Sequence, residues 1–100
     1  MASLPTLSVL KPKVQATCAE VQERFGIVII GLGGSVGRGD ANLHSDLDLA
    51  VRKSRRIGLY EVADATEMLT TTLGLPVDLV FLDALSSYKN KIFMRDLVLL

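Results

Sequence analysis

Two aspartates separated by one residue, Asp46 and Asp48, are the side chains in this sequence best placed to do chemistry. Alternate residues of a strand point to the same face, so both carboxylates would project together. The residues between and after them, Leu47, Leu49 and Val51, are apolar and predict that the other face packs on a core. Paired carboxylates of this kind are typical ligands of Mg²⁺ and can act on a phosphate bound beside them.

A glycine-rich stretch precedes these aspartates and follows the β-branched run at residues 27–30. Gly34 and Ser35 lie where a buried strand would turn into a short helix. Amides at a helix N-terminus carry partial positive charge, so this loop and the Ser35 hydroxyl could hold the terminal phosphates of a nucleoside triphosphate. Arg38 is a further candidate for phosphate contact. The sequence therefore predicts a phosphate-binding loop directly before the metal-binding carboxylates.

Two other kinds of glycine-rich loop do not fit this stretch. A Walker-type loop needs Lys and then Ser or Thr after its last glycine, but Asp40 follows Gly39. The glycines at 33, 37 and 39 also match a dinucleotide-binding pattern, which requires a helix of about 10 to 12 residues before the next strand. Only six residues separate Gly39 from Asp46, so the sequence excludes that fold.

A third carboxylate is expected from a neighbouring strand. Two Mg²⁺ ions about 4 Å apart would stabilise both the attacking and the leaving oxygen of an in-line displacement at phosphorus. Asp78 lies near the start of the apolar run at residues 77–82 and is the candidate. As a metal ligand or as a base it could help to deprotonate an acceptor hydroxyl. His44 also lies near the acids, but its position in the loop favours support of a turn.

The periodicity of apolar residues predicts an α/β fold with a small mixed β-sheet flanked by helices. We expect residues 1–11 to form an N-terminal arm and residues 12–100 to form one domain. Gly26 is placed to end the first helix, and Gly74 with Pro76 to end the second. The apolar end at 97–100 could be a strand, a helix end or an interface. The predicted elements are a helix at 12–25, strands at 27–30 and 46–51, a helix at 59–73, a strand at 77–82 and a last helix around Leu85, Tyr88 and Ile92.

Composition limits the partners. Eleven basic residues balance eleven acidic ones, so no general attraction to nucleic acid is expected and direct nucleic-acid binding is not predicted. No apolar run is long enough for a membrane span, and the first apolar stretch is broken by prolines and lysines, unlike a signal peptide. The lone Cys18 rules out an internal disulfide and is typical of a reducing cytoplasm, where we expect the protein.

The spacing of these residues resembles a known superfamily. Gly34-Ser35, ten further residues and then Asp46-x-Asp48, with Asp78 downstream, is similar to the nucleotidyltransferases with a polymerase β-like core. Within that superfamily the stretches at 34–39 and 45–49 resemble the minimal nucleotidyltransferases (MNT), the MntA-like antitoxins of HEPN/MNT toxin–antitoxin pairs. That family often has an aromatic residue just before Gly34, where this chain has a glycine, and the change would loosen the loop.

The resemblance implies a polymerase β-like nucleotidyltransferase fold and a set of roles. Gly34 and Ser35 would bind the triphosphate of ATP, with Arg38 as a further candidate contact. Asp46, Asp48 and Asp78 would bind Mg²⁺ and carry the catalysis. The family reaction is transfer of AMP from ATP to a tyrosine of the partner HEPN ribonuclease toxin, which silences the toxin. The resemblance therefore implies an enzyme, a protein adenylyltransferase, that acts as an antitoxin.

The acceptor, the basic run and the oligomeric state stay open at this point. The acceptor could be the hydroxyl of a small molecule such as an aminoglycoside, or the protein could block its toxin sterically without catalysis. The basic run at residues 52–56 could be a solvated loop, guide ATP or meet an acidic partner surface. An oligomer through the C-terminal region is also possible.

Overall fold

The computed structural model describes residues 7–34 and 47–100 of the chain. Within them, three helices pack with a four-stranded mixed sheet, as the sequence predicts. A short 3₁₀ turn, Leu82–Ala84, follows the third strand. The elements in chain order are α1 (Leu7–Phe25), β1 (Ile27–Gly33), β2 (Leu47–Lys53), α2 (Leu59–Leu73), β3 (Val77–Phe81), α3 (Ser87–Arg95) and β4 (Val98–Leu99).

The sheet has the order β3-β2-β1-β4. β1 runs antiparallel to both of its neighbours, β2 and β4, whereas β2 and β3 are parallel. A parallel pair needs a crossover connection, and α2 provides it between β2 and β3. The apolar end of the chain is therefore a strand that extends the sheet beside β1.

The core lies on one face of the sheet, under α1 and α2. Leu47, Leu49 and Val51 of β2 are fully buried there, as their alternation with polar residues predicts. The helices contribute the apolar residues of one face each to the same cluster. These are Leu10, Val14, Val21 and Phe25 from α1, and Ala65, Leu69 and Leu73 from α2.

α1 begins at Leu7, so the prediction that the helix starts at Pro12 after an arm is wrong for residues 7–11. Proline inside a helix cannot donate the backbone hydrogen bond of its turn. Leu10 is only 3% exposed and lies one turn before the buried Val14. Burial of this leucine offsets the lost hydrogen bond and holds the first turns of α1 against the core.

β1 continues through Gly31 and Gly33, although these glycines predict a turn directly after Ile30. The pairing with β2 shifts register between Ile29 and Gly31, which marks a β-bulge. A Cβ atom on Gly31 would overlap the carbonyl oxygen of Val98 in β4. Gly31 therefore lies in the strand because β4 approaches it too closely for any side chain.

The bounds predicted for α2 are confirmed. At its start the Gly58 amide donates to Glu61 Oε2 at 2.9 Å, and at its end Gly74 takes a left-handed φ of 79°. Leu59, although apolar and at helical spacing from the buried residues of α2, is 87% exposed. α2 is thus capped at both ends, but its first turn does not contribute to the core.

α3 is capped by Ser86, whose hydroxyl accepts a hydrogen bond from the Lys89 amide at 3.2 Å. Its predicted apolar positions Tyr88 and Ile92 are exposed, and Phe93 is the half-buried aromatic residue of this helix. None of its residues is fully buried. Among the described residues no helix is long and apolar enough to cross a bilayer.

Cys18 is half-buried in α1, and its thiol donates to the Val14 carbonyl oxygen at 3.4 Å. Burial raises the pKa of this thiol above its usual value. A raised pKa lowers the fraction of reactive thiolate at neutral pH. Its role in the fold is therefore that of a small packing residue.

We expect Leu49→Ala to lower the free energy of unfolding by about 2–5 kcal/mol, because the leucine is fully buried between the sheet and the helices. The matched control is Leu59→Ala, which removes the same atoms from an exposed site and should change stability by less than about 0.5 kcal/mol. Chemical denaturation measures both. Equal effects of the two substitutions would contradict the assigned core.

Candidate active site

Asp48 and Asp78 are brought together by the parallel pairing of β2 and β3. In this register Asp48 lies directly beside Asp78. Neighbouring strands are about 4.8 Å apart, and paired residues of parallel strands point to the same face. Both carboxylates therefore project from the face opposite the core, where Asp48 is half-buried and Asp78 is exposed. The structure thus places Asp78 beside Asp48 from the neighbouring strand, whereas Asp46 lies outside the described residues.

The end of β1 lies on the other side of Asp48. Gly33 is the pairing partner of Asp48, and the next residue, Gly34, has a φ of +68°. A Cβ atom built on Gly34 would overlap the Asp48 Oδ2 atom. Both the backbone angle and the space at this position therefore require glycine. The chain turns against the Asp48 carboxylate at the point where the predicted phosphate loop begins.

Phe93 of α3 completes this corner of the site. A Cβ atom on Gly33 would lie 2.6 Å from Phe93 Cζ and 2.9 Å from Cε2. The absence of a side chain at Gly33 thus makes room for the aromatic ring, directly beside the strand position of Asp48. Gly33 is buried at the end of β1, so it belongs to the strand and not to the loop, whose residues from Ser35 lie outside the described part of the chain.

Sequence reasoning did not identify Phe93. The signal for it is a missing side chain, since a glycine inside a strand often marks a place where another group approaches closely. The glycine indicates a close approach at position 33 but does not identify the approaching group, because Phe93 lies sixty residues further along the chain.

Ser35, Arg38 and Asp46 fall outside the described residues, as does His44. Asp46 immediately precedes the first residue of β2. The roles predicted for these side chains stay predictions. The structure thus brings three of the six predicted site residues together: Gly34, Asp48 and Asp78.

The two described carboxylates fit a divalent cation with a preference for oxygen ligands. Asp48 and Asp78 offer oxygens side by side from a rigid sheet, as Mg²⁺ sites require. The Asp78 side chain makes no hydrogen bond or ion pair with the other described residues. No group of three His, Cys, Asp or Glu side chains within the described residues forms a metal cluster, so a complete site needs a further ligand, for which Asp46 is the candidate.

The basic run at residues 52–56 begins at the other end of β2. Lys53 is five residues from Asp48, about 16 Å along the strand. Arg55 contacts the end of α1, where its Nη2 atom donates to the Arg24 carbonyl oxygen at 3.1 Å. This separation from the carboxylates disfavours a direct role of the run in holding the triphosphate.

Comparison with known proteins identifies a family and several similar proteins. Residues 16–100 match the nucleotidyltransferase domain family. The chain is 37% identical over 93 residues to the protein adenylyltransferase MntA of Thermococcus cleftensis, a match that covers 93% of this chain and 94% of that protein. A solved structure described as a minimal nucleotidyltransferase superposes with a TM-score of 0.80 at 30% identity, over 99% of this chain and all of that one.

Another solved structure has lower sequence identity to this chain and supports only the assignment of the fold. It is a crystal structure of a toxin–antitoxin with AMP-PNP, with a TM-score of 0.61 and 23% sequence identity. The superposition covers 79% of this chain and 62% of that chain.

Gly34→Ala should destabilise the protein more than Gly74→Ala does. Both glycines have positive φ, so alanine strains the backbone at either position by about 1–2 kcal/mol. A Cβ atom on Gly74 meets nothing within 4 Å, whereas one on Gly34 displaces the Asp48 carboxylate. We expect the difference in unfolding free energy to be about 1–3 kcal/mol. Identical losses, measured by denaturation, would show that the Asp48 carboxylate is not seated against Gly34.

Gly33→Ala and Phe93→Leu should be coupled in stability. Alanine at 33 collides with the aromatic ring, and the smaller leucine at 93 relieves that collision. The cost of Gly33→Ala should therefore fall by at least about 0.5 kcal/mol in the Phe93→Leu background. A double-mutant cycle measures this coupling, and simple additivity of the two substitutions would contradict the contact.

Proposed function

The chain belongs to the nucleotidyltransferase domain family, and we propose that it transfers AMP from ATP to a hydroxyl group of a protein. The observation that carries the proposal is the row formed by Gly33, Asp48 and Asp78 across three strands, with the turn at Gly34 seated on the Asp48 carboxylate. This row sets acidic side chains directly beside the start of the glycine-rich loop.

In this proposal the loop binds the nucleotide. The Gly34 and Ser35 amides and the Ser35 hydroxyl hold the triphosphate, and Arg38 neutralises part of its charge. Asp46, Asp48 and Asp78 hold Mg²⁺. When bound, the metal supplies positive charge that offsets the charge of the triphosphate and of the leaving pyrophosphate. Gly34 keeps the loop close to Asp48 because no side chain separates them.

The reaction is an in-line displacement at the α-phosphorus of ATP. The acceptor oxygen forms a bond to the α-phosphorus as the bond from that phosphorus to the oxygen bridging the β-phosphate breaks. Pyrophosphate leaves with the electron pair of the broken bond. The hydroxyl proton passes to a carboxylate oxygen of Asp78, which is exposed and accepts no hydrogen bond from the other described residues.

A protein acceptor is supported by the relative of this chain. The match between this chain and that relative covers nearly the whole of both proteins, and the relative is named a protein adenylyltransferase. The acceptor that we propose is a tyrosine of a HEPN-type ribonuclease toxin, so that the chain acts as the antitoxin of the pair. The solved minimal nucleotidyltransferase of similar size supports a reaction centred on one compact domain.

The test incubates the protein with Mg²⁺, ATP labelled on the α-phosphate and the protein encoded by the neighbouring gene. We expect label on the neighbour, and a fall of at least about 100-fold in the rate for Asp48→Asn and for Asp78→Asn, because each change removes a charged ligand or base. The matched control is Asp83→Asn, an exposed aspartate in the 3₁₀ turn that follows β3.

Each other outcome points to a different function. Label on an aminoglycoside but not on a protein would assign a small-molecule acceptor. Neutralisation of the toxin that survives Asp48→Asn combined with Asp78→Asn would assign a steric antitoxin. Unchanged transfer by the Asp48 variant would overturn the assigned site. Omission of Mg²⁺ tests the metal, since transfer should stop without it and return when it is added.

A further inference from the structure

The geometry of the sheet points to a place for the acceptor: we propose that the free edge of β3 binds an extended segment of the acceptor protein as an added β-strand. The inference rests on the proposed function, because it assumes that the acceptor is a protein. β3 is the last strand of the sheet on its side, within residues 7–34 and 47–100. It also carries Asp78, so this edge and one of the two carboxylates lie on the same strand.

The hydrogen bonds of β2 show which groups of β3 face outward. The Leu47 amide donates to the Pro76 carbonyl oxygen at 2.9 Å, which fixes the phase of the parallel ladder. In that phase the N–H and C=O groups of Asp78 and Val80 point to β2. Those of Leu79 and Phe81 then point away from the sheet. They offer the donors and acceptors that an added strand requires.

An added strand would extend the row of site residues by one position. Residues directly opposite each other on neighbouring strands point to the same face, with Cβ atoms about 4.5–5.5 Å apart. The residue opposite Asp78 would therefore project on the face that carries Asp48 and Asp78. If that residue bears a hydroxyl group, the group lies beside the carboxylate that takes its proton. Strand addition thus positions the acceptor with backbone contacts alone.

The positive charge of Lys53, near the C-terminal end of β3, favours an acidic residue in the bound segment. Lys53 Nζ lies 5.6 Å from the centre of the Phe81 ring, and the Lys53 side chain is exposed. A residue opposite Phe81 would face this ammonium group, so an acidic residue fits there. Phe81 is three residues from Asp78. The segment that fits best is therefore extended, free of proline and acidic three residues away from its hydroxyl-bearing residue.

A second copy of the chain is a poorer occupant of this edge. Pairing of two β3 strands would bring a second Asp78 close to the first, and the like charges would oppose each other. A copy would also place no hydroxyl group beside Asp78, since β3 has the sequence VDLVF. The charge pattern therefore favours an acidic, hydroxyl-bearing segment of another protein.

Amide hydrogen exchange followed by NMR tests the edge directly. The probes are nine-residue peptides with a central phenylalanine in place of the reactive tyrosine, β-branched residues around it and a glutamate three positions before or after it. The Leu79 and Phe81 amides should exchange rapidly in the free protein and at least about tenfold more slowly with one of these peptides. The Asp78 and Val80 amides should be slow in both states. A peptide with proline beside the central residue is the control and should protect nothing.

Two variants connect the edge to turnover of the tyrosine-containing peptide. Leu79→Pro removes an outward N–H group that the β2 ladder does not use, so the sheet can accept it. It should raise KM for the peptide at least about tenfold and leave ATP binding unchanged, whereas Leu79→Val should behave like wild type. Lys53→Glu should reverse the preference, so that a peptide with lysine in place of the glutamate becomes the better acceptor. This charge reversal tests the edge even if Leu79→Pro fails to fold.

The outcomes separate this inference from the proposed function. Transfer to protein that depends on Asp48, with no protection of the Leu79 and Phe81 amides and no effect of Lys53→Glu, would overturn the edge and leave the function intact. Protection of those amides without transfer to any protein would support the edge as a peptide-binding surface and overturn the function. Protection that needs no peptide and rises with protein concentration would assign the edge to a second copy and overturn the inference.

Discussion

The site depends on the register of the parallel pair β2 and β3. This register places Asp48 beside Asp78, and the hydrogen bond from the Leu47 amide to the Pro76 carbonyl begins it. A slip by one residue would turn every side chain of β3 to the other face, burying Asp78 and exposing Val77. Burial of Val77 and packing of Leu79 against the core resist such a slip, because both side chains would turn away from the core. The same apolar contacts that stabilise the fold therefore align the carboxylates.

The geometry of the site also depends on three glycines at the end of β1, where a side chain would not fit. At Gly34 a side chain would displace the Asp48 carboxylate, and at Gly33 it would collide with the ring of Phe93. At Gly31 it would meet the backbone of β4. Each glycine of this strand thus permits a different close approach, and together they let a loop, a helix and a strand converge at one end of β1.

Local patterns in the sequence were enough to predict the elements but not all of their contacts. Alternation along β2 placed Leu49 in the core and Asp48 outside it, and Gly74 correctly marked the end of α2. The start of α1 was missed because burial of Leu10 overrides the local effect of Pro12. Phe93 was missed because its contact with Gly33 joins distant parts of the chain. Such contacts follow from tertiary packing, which a periodicity does not encode.

The two sides of the carboxylate pair differ in a way that suits an in-line displacement. On the β1 side the row ends at the turn of Gly34, and β4 and Phe93 close the sheet there. On the other side β3 is the last strand among the described residues, and its Asp78 is exposed. An in-line reaction needs the leaving group and the attacking oxygen on opposite sides of the phosphorus. Phosphates held at the β1 side and an acceptor held at the β3 edge would meet that requirement. They would lie at opposite ends of the row that crosses the strands through Asp48 and Asp78.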